Sequence, residues 1–127
     1  MKVFIVDDSL VMQYSVTRML SSLTGIELVG TAADGERALK TITENKADVV
    51  ILDLSIPKVN GFDVLRVLKS KTVSPTVIIF SNYSSMPFRD SCKQLGAEYF
   101  FDKSTEFQQL TETVELLSRQ QKEQVAH

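Results

Sequence analysis

The stretches Lys2–Val6 (KVFIV), Asp48–Leu54 (DVVILDL) and Thr76–Phe80 (TVIIF) each contain four consecutive apolar residues. A strand with one face in water alternates apolar and polar side chains. A strand that is apolar throughout is buried on both faces, which implies a parallel sheet covered by helices on its two sides. The segments between these runs carry the spacing of such helices. Met12, Val16, Met19, Leu20 and Leu23 form one stripe within Ser9–Thr24, and Ala38, Leu39 and Ile42 lie on one side of Gly35–Asn45. Phe62, Leu65 and Leu68 follow Pro57 and Gly61; Phe88, Cys92 and Leu95 share a face; Phe107, Leu110, Val114 and Leu117 form the last stripe. Glu27–Ala33 and Glu98–Phe101 complete the strand set. Thr105 and Gln108 have the spacing of a capping box at the start of the last helix. Strands and helices alternate five times, so the expected fold is α/β: a doubly wound, five-stranded parallel sheet.

With 127 residues, residues 1–127 are read as a single domain. The polar stretch 118–127 is read as an extension or frayed end of the last helix. A net charge of −2 gives no footprint for nucleic acid, and the apolar runs are too short to cross a membrane. Cys92 is the one cysteine, so no internal disulfide forms, and a reducing, cytoplasmic setting is expected. The one histidine is the terminal His127, a poor place for a base or a metal ligand.

In doubly wound sheets ligands bind beyond the carboxyl ends of the strands. Asp7 and Asp8 follow the first strand, Asp53 follows VVIL, Ser81 closes the fourth strand, and Lys103 lies just past the fifth. Three carboxylates brought to one edge repel one another unless a cation lies among them. Such a set suits a hard, oxygen-preferring ion such as Mg²⁺, which keeps waters and shares phosphate oxygens. Asp53 can then act as a nucleophile toward a phosphoryl group, with Lys103 supplying a second positive charge and Ser81 a hydrogen bond.

The acidic pair Asp7–Asp8, DLSIPKVNG around Asp53, the strand-end Ser81, GAEYFFDKS around Lys103 and GTAADGERAL near the second helix occur in that order. In these pieces the chain resembles, over nearly its whole length, a stand-alone, chemotaxis-regulator-like receiver domain of two-component response regulators. The resemblance implies the flavodoxin-like strand order 2-1-3-4-5. It implies that Asp53 is the phosphoacceptor, and that Asp8, Asp53 and the backbone carbonyl of Ser55 hold Mg²⁺, with Asp7 acting through a metal-bound water. Ser81 takes the Thr/Ser switch position and Phe100 the aromatic switch position. The implied donor is a phosphohistidine on a sensor histidine kinase or histidine phosphotransfer protein. The implied output is contact with a downstream protein through the fourth and fifth helices and the fifth strand.

Two features depart from that pattern. Ser104 stands where the family usually has Pro, so a trans Lys103–Ser104 bond is expected, a cis bond to a non-proline residue costing about 3–4 kcal/mol. Asn82 and Tyr83 follow Ser81 where a small residue is usual, and are expected to shade the phosphorylation site. Two other classes share parts of this plan. A flavodoxin-like electron carrier needs a phosphate-cradling loop after the first strand, where this chain has DDS. A small aspartate-nucleophile phosphatase usually carries a second acid two residues after its nucleophile, where this chain has Ser55. The reading is a phosphorylation switch that catalyses only its own phosphorylation and dephosphorylation, without an effector domain of its own.

Overall fold

The computed structural model describes residues 1–125; the histidine at 127 lies outside them. The elements alternate strictly: β1 Lys2–Val6, α1 Leu10–Ser21, β2 Glu27–Ala32, α2 Gly35–Asn45, β3 Val49–Leu52, α3 Gly61–Lys69, β4 Thr76–Ser81, α4 Met86–Gln94, β5 Tyr99–Asp102 and α5 Phe107–Val125. The strands pair in parallel in the order β2-β1-β3-β4-β5.

The uniformly apolar strands are explained by two cores. Phe4, Val6, Val50, Leu52, Val77 and Ile79 pack against Ala38 and Ile42 of α2, Val64, Leu65 and Leu68 of α3, and Cys92 of α4. Their neighbours in sequence, Val3, Ile5, Val49, Ile51, Ile78 and Phe80, point the other way. They pack against Val16, Met19 and Leu20 of α1 and Leu110 and Val114 of α5. Each fully buried aliphatic or aromatic side chain contributes roughly 1.5–3 kcal/mol of transfer free energy, so the central strands anchor the molecule. Burial also pushes the Cys92 thiol up to about 11.

The starts of α1, α2 and α3 follow from side-chain caps. Ser9, Asp34 and Asn60 accept hydrogen bonds from the backbone N–H groups of Met12, Arg37 and Asp63, at 3.2, 2.8 and 3.0 Å. Several boundaries differ from the sequence reading. Helix α1 ends at Ser21 rather than Thr24, because the Ser21 and Ser22 hydroxyls turn back onto the carbonyls of Arg18 and Met19 at 2.7 Å. Strand β3 ends at Leu52, and the Leu54 carbonyl turns to accept the Gly61 N–H at 3.0 Å. Strand β5 runs one residue further than Phe101, because Asp102 pairs with Ser81. The capping box at Thr105 does not form. The Thr105 hydroxyl donates to Asp102 Oδ1 at 3.1 Å, and the Gln108 amide reaches forward to Glu112 at 3.3 Å. The polar stretch after Leu117 continues α5 as far as Val125. No helix among the described residues is long and apolar enough to cross a membrane.

Candidate functional site

The carboxyl edge of the sheet gathers the residues singled out in the sequence. Carboxylate oxygens of Asp7, Asp8 and Asp53 all lie within 4.8 Å of one another. Asp7 and Asp53 are buried, and Asp8 faces solvent. Lys103 reaches across from beyond β5 and places its Nζ 2.7 Å from Asp7 Oδ2 and 2.8 Å from Asp53 Oδ2. Ser81 is fully buried at the end of β4.

Local structure explains why these groups converge. Val6, Leu52 and Ile79 lie level with one another in β1, β3 and β4, so Asp7 and Asp53 leave the sheet side by side, and Ser81 ends β4 two residues further along the same edge. The Asp7 carboxylate is fixed from behind: its Oδ1 accepts the Ser9 N–H at 2.9 Å, while Gln13 Nε2 donates to the Asp7 carbonyl at 2.6 Å. Asp53 Oδ1 accepts the Ser55 N–H at 3.3 Å. Beneath Asp53, Gly61 packs against the β3–α3 loop so closely that a Cβ there would lie 2.4 Å from the Asp53 carbonyl oxygen. Any larger residue would push that loop outward. Pro57 accepts the Gly35 N–H at 3.1 Å and ties the same loop to the start of α2.

The electrostatics follow from burial set against pairing. Burial raises the Asp7 carboxyl above its ordinary value, although hydrogen bonds from Lys103 and Ser9 act in the opposite direction. Burial disfavours the Lys103 ammonium, but its hydrogen bonds to Asp53 and Asp7 outweigh that cost and raise its pKa. Three carboxylates against one ammonium leave an excess of negative charge at the edge. The donor set is all oxygen, and the exposed Asp8 opens it to solvent, which fits a hard divalent cation that keeps part of its water shell.

The remaining predicted residues lie around this centre. The Ser81 hydroxyl accepts the Tyr83 N–H at 3.1 Å. The Asn82 side-chain oxygen accepts the Ser104 hydroxyl at 3.0 Å, bridging the β4–α4 and β5–α5 loops. The Lys103–Ser104 bond is trans, as its sequence predicts. The Tyr83 ring is half exposed and meets Phe88 edge-on, with centroids 5.6 Å apart. With Leu54, Ser55, Phe62 and Phe88 it lines a cavity of about 360 Å³ beside the β3–α3 loop. Phe100 is half-buried in β5, packed against the core that α2, α3 and α4 cover.

Sequence reasoning missed three groups. Arg89 on α4 donates to the Ser84 and Phe100 carbonyls and to Glu106, and its guanidinium lies over the Phe100 ring. Asp102 is the hub of the turn after β5. Leu10, Val11 and Tyr14 of α1 are largely exposed. Only the last carries a sequence signal: these apolar residues fall off the buried stripe of their own helix.

Comparison with known proteins agrees with this geometry. The family model for the response regulator receiver domain matches residues 3–115. A protein-glutamate methylesterase/protein-glutamine glutaminase of Koribacter versatilis is 40% identical over 112 residues, covering 87% of this chain and 31% of that protein. Response regulator GacA of Pseudomonas aeruginosa is 30% identical, covering 89% of this chain and 53% of its own length. The chain thus spans between about a third and a half of these curated relatives. Among solved structures, the response regulator domain of Thermotoga maritima CheB superposes with a TM-score of 0.81 at 28% identity, covering 94% of each chain. A chain of the CheX–CheY–BeF₃–Mg²⁺ complex of Borrelia burgdorferi gives 0.83 at 28% identity, covering 91% of this chain and 87% of that one. Neither the electron-carrier nor the phosphatase alternative is favoured by these matches. With its five parallel strands and the acidic edge they build, the chain belongs to the response regulator receiver domain family.

Proposed function

We propose that Asp53 accepts a phosphoryl group from a phosphohistidine on a sensor histidine kinase or histidine phosphotransfer protein. The observation that carries this reading is the Lys103 ammonium bridging Asp53 and Asp7 while a carboxylate oxygen of Asp8 lies within 4.8 Å of oxygens of both. Asp8, Asp53 and the Ser55 carbonyl would hold Mg²⁺, with Asp7 acting through a metal-bound water. When bound, the ion supplies charge neutralisation for the incoming phosphoryl oxygens.

An Asp53 carboxylate oxygen attacks phosphorus. The P–O bond forms as the P–N bond to the donor imidazole breaks, and the imidazole leaves with the bonding pair and takes a proton from solvent. Lys103 holds Asp53 in place and offers its ammonium to a phosphoryl oxygen as the charge arrives. Ser81 turns its hydroxyl from the Tyr83 N–H toward the phosphoryl group, and Phe100 repacks behind it. The signal then passes to a protein partner through the face of α4, β5 and α5. The exposed Leu10, Val11 and Tyr14 of α1, the helix that begins two residues after Asp8, support a protein donor, because they leave apolar side chains on the surface for one to cover. This makes the domain a switch that catalyses only its own phosphorylation and dephosphorylation, working in the cytoplasm.

Radiolabelled phosphohistidine donors presented to the wild type, Asp53→Asn and Asp8→Ala test the assignment. Labelling should vanish in Asp53→Asn, and should weaken together with Mg²⁺ affinity in Asp8→Ala. Full labelling of Asp53→Asn overturns the phosphoacceptor assignment.

A further inference from the structure

Lys103 is delivered to the acidic edge by a turn with no proline in it, and nearly every polar group of that turn converges on the residue before it. Asp102 Oδ1 accepts the Ser104 N–H at 2.8 Å, the Thr105 N–H at 3.0 Å and the Thr105 hydroxyl at 3.1 Å. Asp102 Oδ2 accepts the Ser84 hydroxyl. Its own N–H donates to Glu106 Oε1 at 2.9 Å, and its carbonyl accepts the Glu106 N–H at 2.9 Å. Glu106 is gripped in turn by Arg89 at 2.8 Å. All the hydrogen-bonding groups of Asp102 are therefore engaged, and Ser84, three residues past Ser81, is among the partners.

These bonds define the path of the chain on both sides of Lys103. Before it, Asp102 is locked to β4 and to the β4–α4 loop. After it, Ser104 and Thr105 are folded back onto the Asp102 carboxylate. The Lys103 N–H itself donates to the Ser81 carbonyl at 3.1 Å. The hydrogen bond from Ser84, then that from the Ser104 N–H, hold the Asp102 carboxyl below its ordinary value, so it is an anion at neutral pH.

We infer that Asp102 is a positioning residue: its carboxylate fixes the turn that aims Lys103 at Asp53, and its bond to Ser84 ties that turn to the loop behind Ser81. The inference rests on the reading of Asp53 as phosphoacceptor for its functional consequence, but its geometric content stands apart from it. Asp102 touches neither the reacting atoms nor the ring of metal-binding oxygens. It acts through Lys103. A lysine head displaced by an ångström or so loses much of its effect on a reacting group, a misplacement that can cost up to about a hundredfold in rate.

The test reads the accessibility of individual lysines in the folded chain. Wild type, Asp102→Ala and Asp102→Asn are treated briefly with an amine-acylating reagent, and each lysine is quantified by mass spectrometry. Lys69 is the internal control. Its side chain is also largely buried, and its Nζ is bonded to the Pro75 carbonyl and Glu98 at 2.8 and 2.6 Å, far from the turn in sequence. In Asp102→Ala, acylation of Lys103 should rise about tenfold through local opening while Lys69 is unchanged. Asp102→Asn keeps an oxygen acceptor for Ser104 and Thr105 and should restore most of the protection. Phosphorylation of Asp53 should slow in Asp102→Ala with Mg²⁺ affinity retained, and Asp102→Ala should add nothing to the defect of Lys103→Ala. Unchanged Lys103 acylation, or Lys69 and Lys103 rising together, overturns the inference. If the wild type takes no phosphoryl group, the phosphoacceptor reading fails, while the acylation result still decides the role of Asp102.

Discussion

The guanidinium carbon of Arg89 lies 4.8 Å from the centre of the Phe100 ring. The same group donates from Nε to the Ser84 carbonyl at 2.7 Å, from Nη1 to the Phe100 carbonyl at 3.3 Å and from Nη2 to Glu106 at 2.8 Å. One side chain thus joins α4, the β4–α4 loop, β5 and the turn after it, all on the proposed output face. A cation over a partly exposed ring is worth about 0.5–1 kcal/mol, and a half-exposed ion pair adds no more than a similar amount. Removing Arg89 should therefore release Phe100 rather than unfold the domain.

Arg89→Ala is expected to lower stability by about 1–2 kcal/mol, read as a lower urea midpoint at an unchanged slope. Phosphorylation of Asp53 should be nearly unaffected, while affinity for the downstream partner changes. Phe100→Tyr should likewise spare phosphorylation and change partner affinity, because it adds a polar hydroxyl to the edge of a half-buried ring. Loss of phosphorylation with partner binding intact in either variant would reverse the proposed direction of coupling.

The acid limb of the stability profile should report Glu106. Its carboxyl is held below its ordinary value of 4.5, first by the Arg89 hydrogen bond and then by the Asp102 N–H. The Asp102 carboxyl is likewise held below 3.8. A lowered folded-state pKa means that the unfolded chain binds more protons, so this stabilisation is present above the ordinary values and is lost as pH falls through the folded ones. Asp7 acts oppositely: its raised pKa makes its contribution decline as pH rises above 3.8 toward the folded value. Urea midpoints measured across the acid range should fall with pH in the wild type. They should fall less steeply in Glu106→Gln and more steeply in Asp7→Asn. Parallel curves for Glu106→Gln and the wild type would contradict the assignment.

The fold was legible because its strongest signal is also its physical cause. Strands buried on both faces must be apolar throughout, and Val3–Val6, Val49–Leu52 and Val77–Phe80 are. The converging Asp7, Asp8, Asp53 and Lys103 were legible for a related reason: Asp7, Asp53 and Lys103 each follow a strand directly, Asp8 comes next after Asp7, and parallel strands carry their carboxyl ends to one edge. Arg89, Glu106 and Asp102 were not, because their bonds join loops whose approach depends on tertiary packing, and a charged residue on a helix usually marks a solvated face. The capping box at Thr105 failed for the same reason, its hydroxyl being drawn to Asp102 instead.

Tyr83 should set the lifetime of the phosphorylated state. Its ring borders the cavity shared with Ser55 and Phe88, and its N–H meets the Ser81 hydroxyl. Hydrolysis needs a water in line with the breaking bond, and the expectation is that the Tyr83 ring swings from its place against Phe88 to hinder that approach. Phosphate should therefore be lost faster from Tyr83→Ala than from the wild type, by roughly tenfold, or ~1.4 kcal/mol of barrier. Equal decay rates would mean that the Tyr83 ring stays in the aromatic cavity with Phe62 and Phe88 and does not act on the attacking water.

Asp53 is expected to become phosphorylated only when a divalent ion offsets the carboxylates around it. Incubation with a small-molecule phosphoryl donor such as phosphoramidate isolates this step from any partner protein. Mass spectrometry of the intact chain then counts the phosphoryl groups, and borohydride reduction before digestion marks the modified carboxylate. One phosphoryl group is expected, on Asp53, with Mg²⁺ present, and none in excess chelator. Modification that persists in chelator, or that maps to a carboxylate other than Asp53, would contradict it.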